Sequence, residues 1–135
     1  WEKTEFNALL QRSDYITFHV HLYAQTRNML NKHNFGHLVK RPFIINVSRA
    51  ELIEYDALVK ALEQDAIRGL GLDAHYQEPT SKGDVLLRFT NVLFSPHVAG
   101  STVDSYSETM RACTTNIATA LNPGVSAQGV QGLMR

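Results

Sequence analysis

The chain has 135 residues, 44% of them hydrophobic, which suits one domain with a substantial core and is short for a two-domain enzyme. Thirteen Lys and Arg balance thirteen Asp and Glu, so no net field favours nucleic acid or an anionic membrane, and no apolar run is long enough to span a bilayer. The only cysteine, Cys113, excludes an internal disulfide framework and fits a reducing, cytoplasmic setting.

The first residues, Trp1 to Glu5, have neither the charge order nor the apolar core of a signal peptide. They lead at once into mid-domain sequence, so an upstream portion is expected to be missing. Phe6 to Gln11 reads as a short helix with Phe6, Leu9 and Leu10 on one side, stopped near Ser13-Asp14. Tyr15 to Val20 follows as a strand rich in β-branched and aromatic residues. Thr26 to Leu30 reads as a helical turn. Asn31 is expected to cap a second helix carrying Phe35, Leu38 and Val39, ended by Arg41-Pro42.

Phe43 to Val47 is the next strand, and Tyr55 to Gln64 a helix with Leu58, Ala61 and Leu62 on its buried face. Ile67 to Asp73 and Val92 to Phe94 complete a strand and helix alternation that implies a parallel sheet with right-handed crossovers. Between them, Gln77 to Gly83 is a polar loop. From Ser101 runs the longest helix, whose Val103, Tyr106, Met110, Cys113, Ile117 and Leu121 form one apolar stripe expected to pack as core or interface. Asn122-Pro123-Gly124 ends it, and the tail to Arg135 is expected to be loose.

Three polar residues follow apolar strands: Arg49 after Phe43 to Val47, Glu78 after Ile67 to Leu72, and His97 after Val92 to Phe94. Ligands collect beyond the carboxyl ends of strands in an open α/β sheet, so these three are aimed at one crevice. Arg holds a carboxylate with two donors at once, and a carboxylate beside His stabilises and orients the imidazolium for proton transfer. Each residue also has a plainer alternative. Arg49 can pair with Glu51 or Glu54, Glu78 can be a solvated loop residue, and His97 can bond backbone. His19 and His21 share a strand face, but no Cys or carboxylate stands at matching spacing, so no metal site is read there.

Asn46-Val47-Ser48-Arg49, Asp56-Ala57-Leu58, Gly69-Leu70-Gly71-Leu72-Asp73, Glu78-Pro79, Asn91-Val92 and Ser95-Pro96-His97-Val98-Ala99-Gly100 together resemble the D-isomer-specific 2-hydroxyacid dehydrogenase family. Tyr15 to His19 and Gln25-Thr26-Arg27 match the preceding block, so the likeness runs from about Glu5 to Leu121. It implies a three-layered, partial Rossmann-like parallel sheet with flanking helices that lacks the first βαβ unit. Residues 1–101 would be the partial dinucleotide-binding domain, and 102–135 a helix and tail returning toward an absent substrate domain.

The resemblance also implies hydride transfer between NAD (NADP is not excluded) and a small 2-hydroxy or 2-oxo acid, in a full-length homodimer with no nucleic-acid or membrane partner. Arg49 would bind the substrate carboxylate and carbonyl, Glu78 orient His97, and His97 act as acid and base. Val20, Val47, Ser48, Arg49, Asp73, His97 and Gly100 would line the dinucleotide, with Asp73 on the nicotinamide carboxamide. Glu78 stands where the related formate dehydrogenases carry Gln. Three features depart from the pattern: no G-x-G-x-x-G follows a first strand, Ala50 stands where Gly usually follows the Arg, and His21 stands where Pro is usual. The competing expectations are a non-catalytic NAD-sensing or interaction relative and an inactive fragment; the isolated chain is expected to bind NAD weakly or not at all and to associate through an open sheet edge.

Overall fold

A computed structural model describes residues 2–121, which leaves Asn122-Pro123-Gly124 and the tail outside the described residues. The chain divides into two compact units, Trp1–Ala99 and Gly100–Arg135. The first contains α1 (Phe6–Arg12), β1 (Tyr15–Phe18), β2 (Phe43–Asn46), α2 (Tyr55–Glu63), β3 (Gly69–Leu72) and β4 (Val92–Phe94); the second contains α3 (Val103–Leu121). The four strands are parallel in the order β1-β2-β3-β4, with Phe18, Asn46, Leu72 and Phe94 in register at their carboxyl ends.

That monotonic order dictates where the core lies. Right-handed crossovers that always step the same way place every connection on one face of the sheet. Ile16, Phe18, Ile44, Leu70 and Leu72 are accordingly buried with Leu10 of α1 and Leu58 and Leu62 of α2. The opposite face carries Tyr15, Phe43 and Leu93, and Tyr15 and Leu93 are 69% and 75% exposed. Residues 2–99 therefore supply two of the three expected layers, and the strands are not buried on both sides. On the bare face Tyr15 stacks on Phe43 (5.4 Å between centroids, 16°), and the Arg68 guanidinium lies 5.5 Å from the Phe43 ring centre. Gly69 makes room for this stack, since a Cβ there would meet the Asn91 carbonyl at 3.0 Å and the Phe43 ring at 3.1 Å. Gly69→Ala is expected to destabilise the fold by about 1–3 kcal/mol, read as a lower urea midpoint with an unchanged slope.

The helix expected after Asn31 is absent; only a single 3₁₀ turn, Phe35–His37, forms. Two asparagines explain the loss by capturing backbone groups that a helix would use. Asn34 accepts from the Asn31 amide (2.8 Å) and donates to the Met29 carbonyl (2.7 Å), while Asn31 donates to the Asn28 carbonyl (2.8 Å) and accepts from the His33 amide (2.9 Å). The helix α2 forms as read and buries Ala57, Leu58, Ala61 and Leu62. It closes without glycine: Asp65 takes a left-handed φ of 56°, the Ala66 amide returns to the Ala61 carbonyl (2.8 Å), and Arg41 bonds the Asp65 carbonyl (2.7 Å).

In the second unit, α3 has no buried residue, so its stripe is not core, which leaves the interface alternative. Cys113 is exposed, as are Tyr106 and Met110. No helix among the described residues is long and apolar enough to cross a membrane.

Candidate active site

The carboxyl ends of the strands are tied together by short polar contacts. Ser48, beyond β2, donates its hydroxyl to the Val20 carbonyl beyond β1 (2.6 Å). Asn46 ends β2 fully buried, where its Oδ1 accepts from the Ser48 amide (3.1 Å) and its Nδ2 donates to the Arg49 carbonyl (2.8 Å). These bonds fold the backbone through Val47 and present Arg49 at the surface. The sequence reading did not give Asn46 a role; the usable sign was an Asn at a strand end, where its side chain commonly builds the turn.

Beyond β3 and β4 the structure brings Glu78 and His97 together. The His97 Nδ1 lies 2.7 Å from Glu78 Oε1, and the same oxygen accepts from the His75 amide at 3.0 Å. An ionised carboxylate only accepts, so Nδ1 carries the proton and Nε2 is the ring atom left for chemistry. The His75 amide, then the His97 ring, holds the Glu78 carboxyl below its usual range. The sign follows: the ionised contact is complete above the ordinary glutamate value and is lost as pH falls through the lowered one. A ¹³C titration of the Glu78 carboxyl should show a midpoint below that of a free glutamate. A midpoint at or above it would remove the contact from solution.

Arg49 is not bonded to this pair among the described residues; its guanidinium donates to the Ser48 carbonyl at 2.7 Å. Its position is nonetheless close in register. Arg49 lies three residues beyond Asn46 and His97 three beyond Phe94, on strands either side of β3. A cavity of about 440 Å³ opens beside the pair, lined in part by His75, Thr80, Leu87, Phe94 and His97. Its size suits a small-molecule site.

Asp73, 2% exposed at the end of β3, is engaged by its own chain. Its Oδ1 accepts from the Ser95 hydroxyl (2.6 Å) and the Val98 amide (3.0 Å), and its Oδ2 from the Ala99 amide (2.9 Å). Burial alone pushes this carboxyl up, but the bonds from Ser95, Ala99 and Val98, with His97 nearby, leave it below the usual range. A carboxylate has about four acceptor positions, so one remains on Oδ2. Residue 95 was a motif letter in the sequence and is a junction here. Its carbonyl lies 2.9 Å from the His75 ring Nε2 and accepts from the His97 amide at 3.0 Å. His97 itself has φ 55°, a left-handed conformation that costs a non-glycine residue about 1–2 kcal/mol.

Val20 is exposed at 41% and Val47 half-buried; Gly100 begins the second unit. The His19 ring bonds Thr17 at 2.9 Å, and no group of three or more His, Cys, Asp or Glu among the described residues is placed to hold a metal.

Residues 1–99 match the family described as D-isomer specific 2-hydroxyacid dehydrogenase, NAD binding domain, and the chain belongs to that family. NAD is the cofactor that this domain family takes. Among relatives, a glyoxylate reductase of Thermofilum pendens is 35% identical over 104 residues, covering 77% of this chain and 31% of that protein. The chloroplastic D-3-phosphoglycerate dehydrogenase 2 of Arabidopsis thaliana is 30% identical, over 96% of this chain and 21% of that protein. Among solved structures, the D-lactate dehydrogenase of Lactobacillus jensenii with NAD⁺ superimposes with a TM-score of 0.78 at 29% identity, over 93% of this chain and 41% of that one. The chain spans about a third of the length of the first curated relatives it matches, 31% and 32% of them.

Proposed function

We propose that the protein is an oxidoreductase that interconverts a small 2-oxo acid and its 2-hydroxy acid, with His97 as the acid and base. The observation that carries this reading is the 2.7 Å bond between Glu78 and His97 at the ends of adjacent strands. Glu78 fixes the imidazole with Nδ1 protonated, so Nε2 gives its proton to the carbonyl oxygen of the oxo acid and takes it back from the hydroxyl in reverse. Arg49 leaves the Ser48 carbonyl and holds the substrate carboxylate with its paired donors. NAD supplies the chemistry of hydride exchange at the substrate's C2. Asp73 Oδ2 would offer its remaining acceptor position to the carboxamide, and Val20, Val47 and Ser48 would help to hold the cofactor. The pyrophosphate half has no Gly-rich loop among the residues 1–135.

In the same reading, residues 1–101 form part of the dinucleotide-binding domain and 102–135 lead toward a substrate domain. The whole protein is a cytoplasmic homodimer. Glyoxylate is the first acid to try, because relatives are named for its reduction. The test is oxidation of NADH by the purified protein with glyoxylate, pyruvate and hydroxypyruvate, beside Arg49→Ala. Turnover that is lost in the variant supports the reading; NADH binding without turnover on any 2-oxo acid would favour a sensing role instead.

A further inference from the structure

We propose that Asp73 is a positioning residue for His97: by capturing the Ser95 hydroxyl and the Val98 and Ala99 amides, it locks the segment around His97 into the turn that delivers the imidazole to Glu78. What the imidazole then does rests on the function proposed above, but the lock itself does not.

The argument starts from the backbone. His97 holds a left-handed φ of 55° with no glycine's freedom, so something outside the residue must favour that conformation. The donors that Asp73 takes flank the strained residue on both sides: Ser95 two positions before it, Val98 and Ala99 immediately after. Only a turn at His97 lets one carboxylate reach all three. The acceptor is itself well anchored, since the Asp73 amide donates to the Asn46 carbonyl at 3.0 Å and the Ser95 amide to the Leu72 carbonyl at 3.1 Å. The segment is thus pinned to the ends of β2 and β3 while the His97 ring projects to Glu78. His75 adds a second tie, with its ring at the Ser95 carbonyl and its amide on Glu78 Oε1. Asp73 therefore acts on His97 through the backbone.

The test is made on the full chain with no dinucleotide added, which separates this role from cofactor binding. Two quantities are read: hydrogen exchange at the Val98 and Ala99 amides, and the titration midpoint of the Glu78 carboxyl. Asp73→Asn keeps the shape but turns one of the two acceptor oxygens into a donor set against the Val98 or the Ala99 amide. It is expected to speed exchange at the amide so opposed by about tenfold or more, the scale of one lost hydrogen bond, and to raise the Glu78 midpoint as His97 leaves it. Ser95→Ala removes one of the three bonds and should give a smaller change of the same kind, with Ser95→Thr restoring both readings. If Asp73→Asn does not fold, the Ser95 pair decides by the same measurements. Unchanged exchange, or faster exchange with an unmoved Glu78 midpoint, overturns the proposal. These shifts in the variants, beside wild-type protein that reduces no 2-oxo acid, would sink the proposed function and leave the lock standing.

Discussion

His97→Gln is expected to lower kcat for 2-oxo acid reduction by roughly 10²–10⁴-fold, the range over which a positioned acid or base accelerates such a step. The substituted amide keeps polarity and size but has no proton to give at neutral pH. KM for the acid should move much less, because in the proposed reading the carboxylate is held by Arg49, beyond β2, and not by the imidazole. Glu78→Gln is the informative companion. Its amide oxygen can still accept from Nδ1 across the 2.7 Å contact, so ring orientation survives and only the charge is lost. A smaller fall in kcat than for His97→Gln is therefore expected. Steady-state kinetics with NADH measure both, and full turnover in His97→Gln would remove the residue from the reaction.

The second large effect lies in the core. Ile44 is fully buried in β2 and pairs with Ile16 on one side and Leu70 on the other. Truncating it to Ala removes three methyl or methylene carbons from a site that cannot collapse, because strands hold it on both flanks. The expected loss is about 2–5 kcal/mol. Against a total stability of roughly 5–15 kcal/mol for an ordinary domain, that moves the urea midpoint far down or unfolds the protein. Leu93→Ala is the control: the same kind of truncation on the bare face of β4, where Leu93 is 75% exposed, should cost well under about 1 kcal/mol. Equal shifts for the two variants would mean that the bare face is covered in solution.

The strands and α2 were legible in the sequence because apolar runs and a helical repeat report burial directly. The Glu78 and His97 pair was legible because strand ends in a parallel sheet share an edge, and the family motifs fall on those ends. Other features were hidden for physical reasons. Asn31 carries the signature of a helix cap, and only the competing acceptors around Asn34 and Met29 reveal a turn in its place. Asp65 ends α2 in a conformation where glycine is the usual sign. The roles of Asn46, Asp73 and Ser95 depend on bonds to amides that no side-chain pattern records. The uncovered sheet face was missed for a simpler reason: apolar strands read as buried on both sides, whereas strand order decides how many sides receive helices.

That strand order has a consequence for how the chain acquires its structure. Each strand pairs with the one before it in sequence, and none waits for a later segment to be inserted between them. During synthesis β2 can dock on β1 as soon as it emerges, then β3 on β2 and β4 on β3, so that every addition finds its template already made. Assembly of this kind runs in one direction from the amino-terminal side. Among the four described strands, it leaves Glu78 and His97, which carry the proposed chemistry, waiting on β3 and β4.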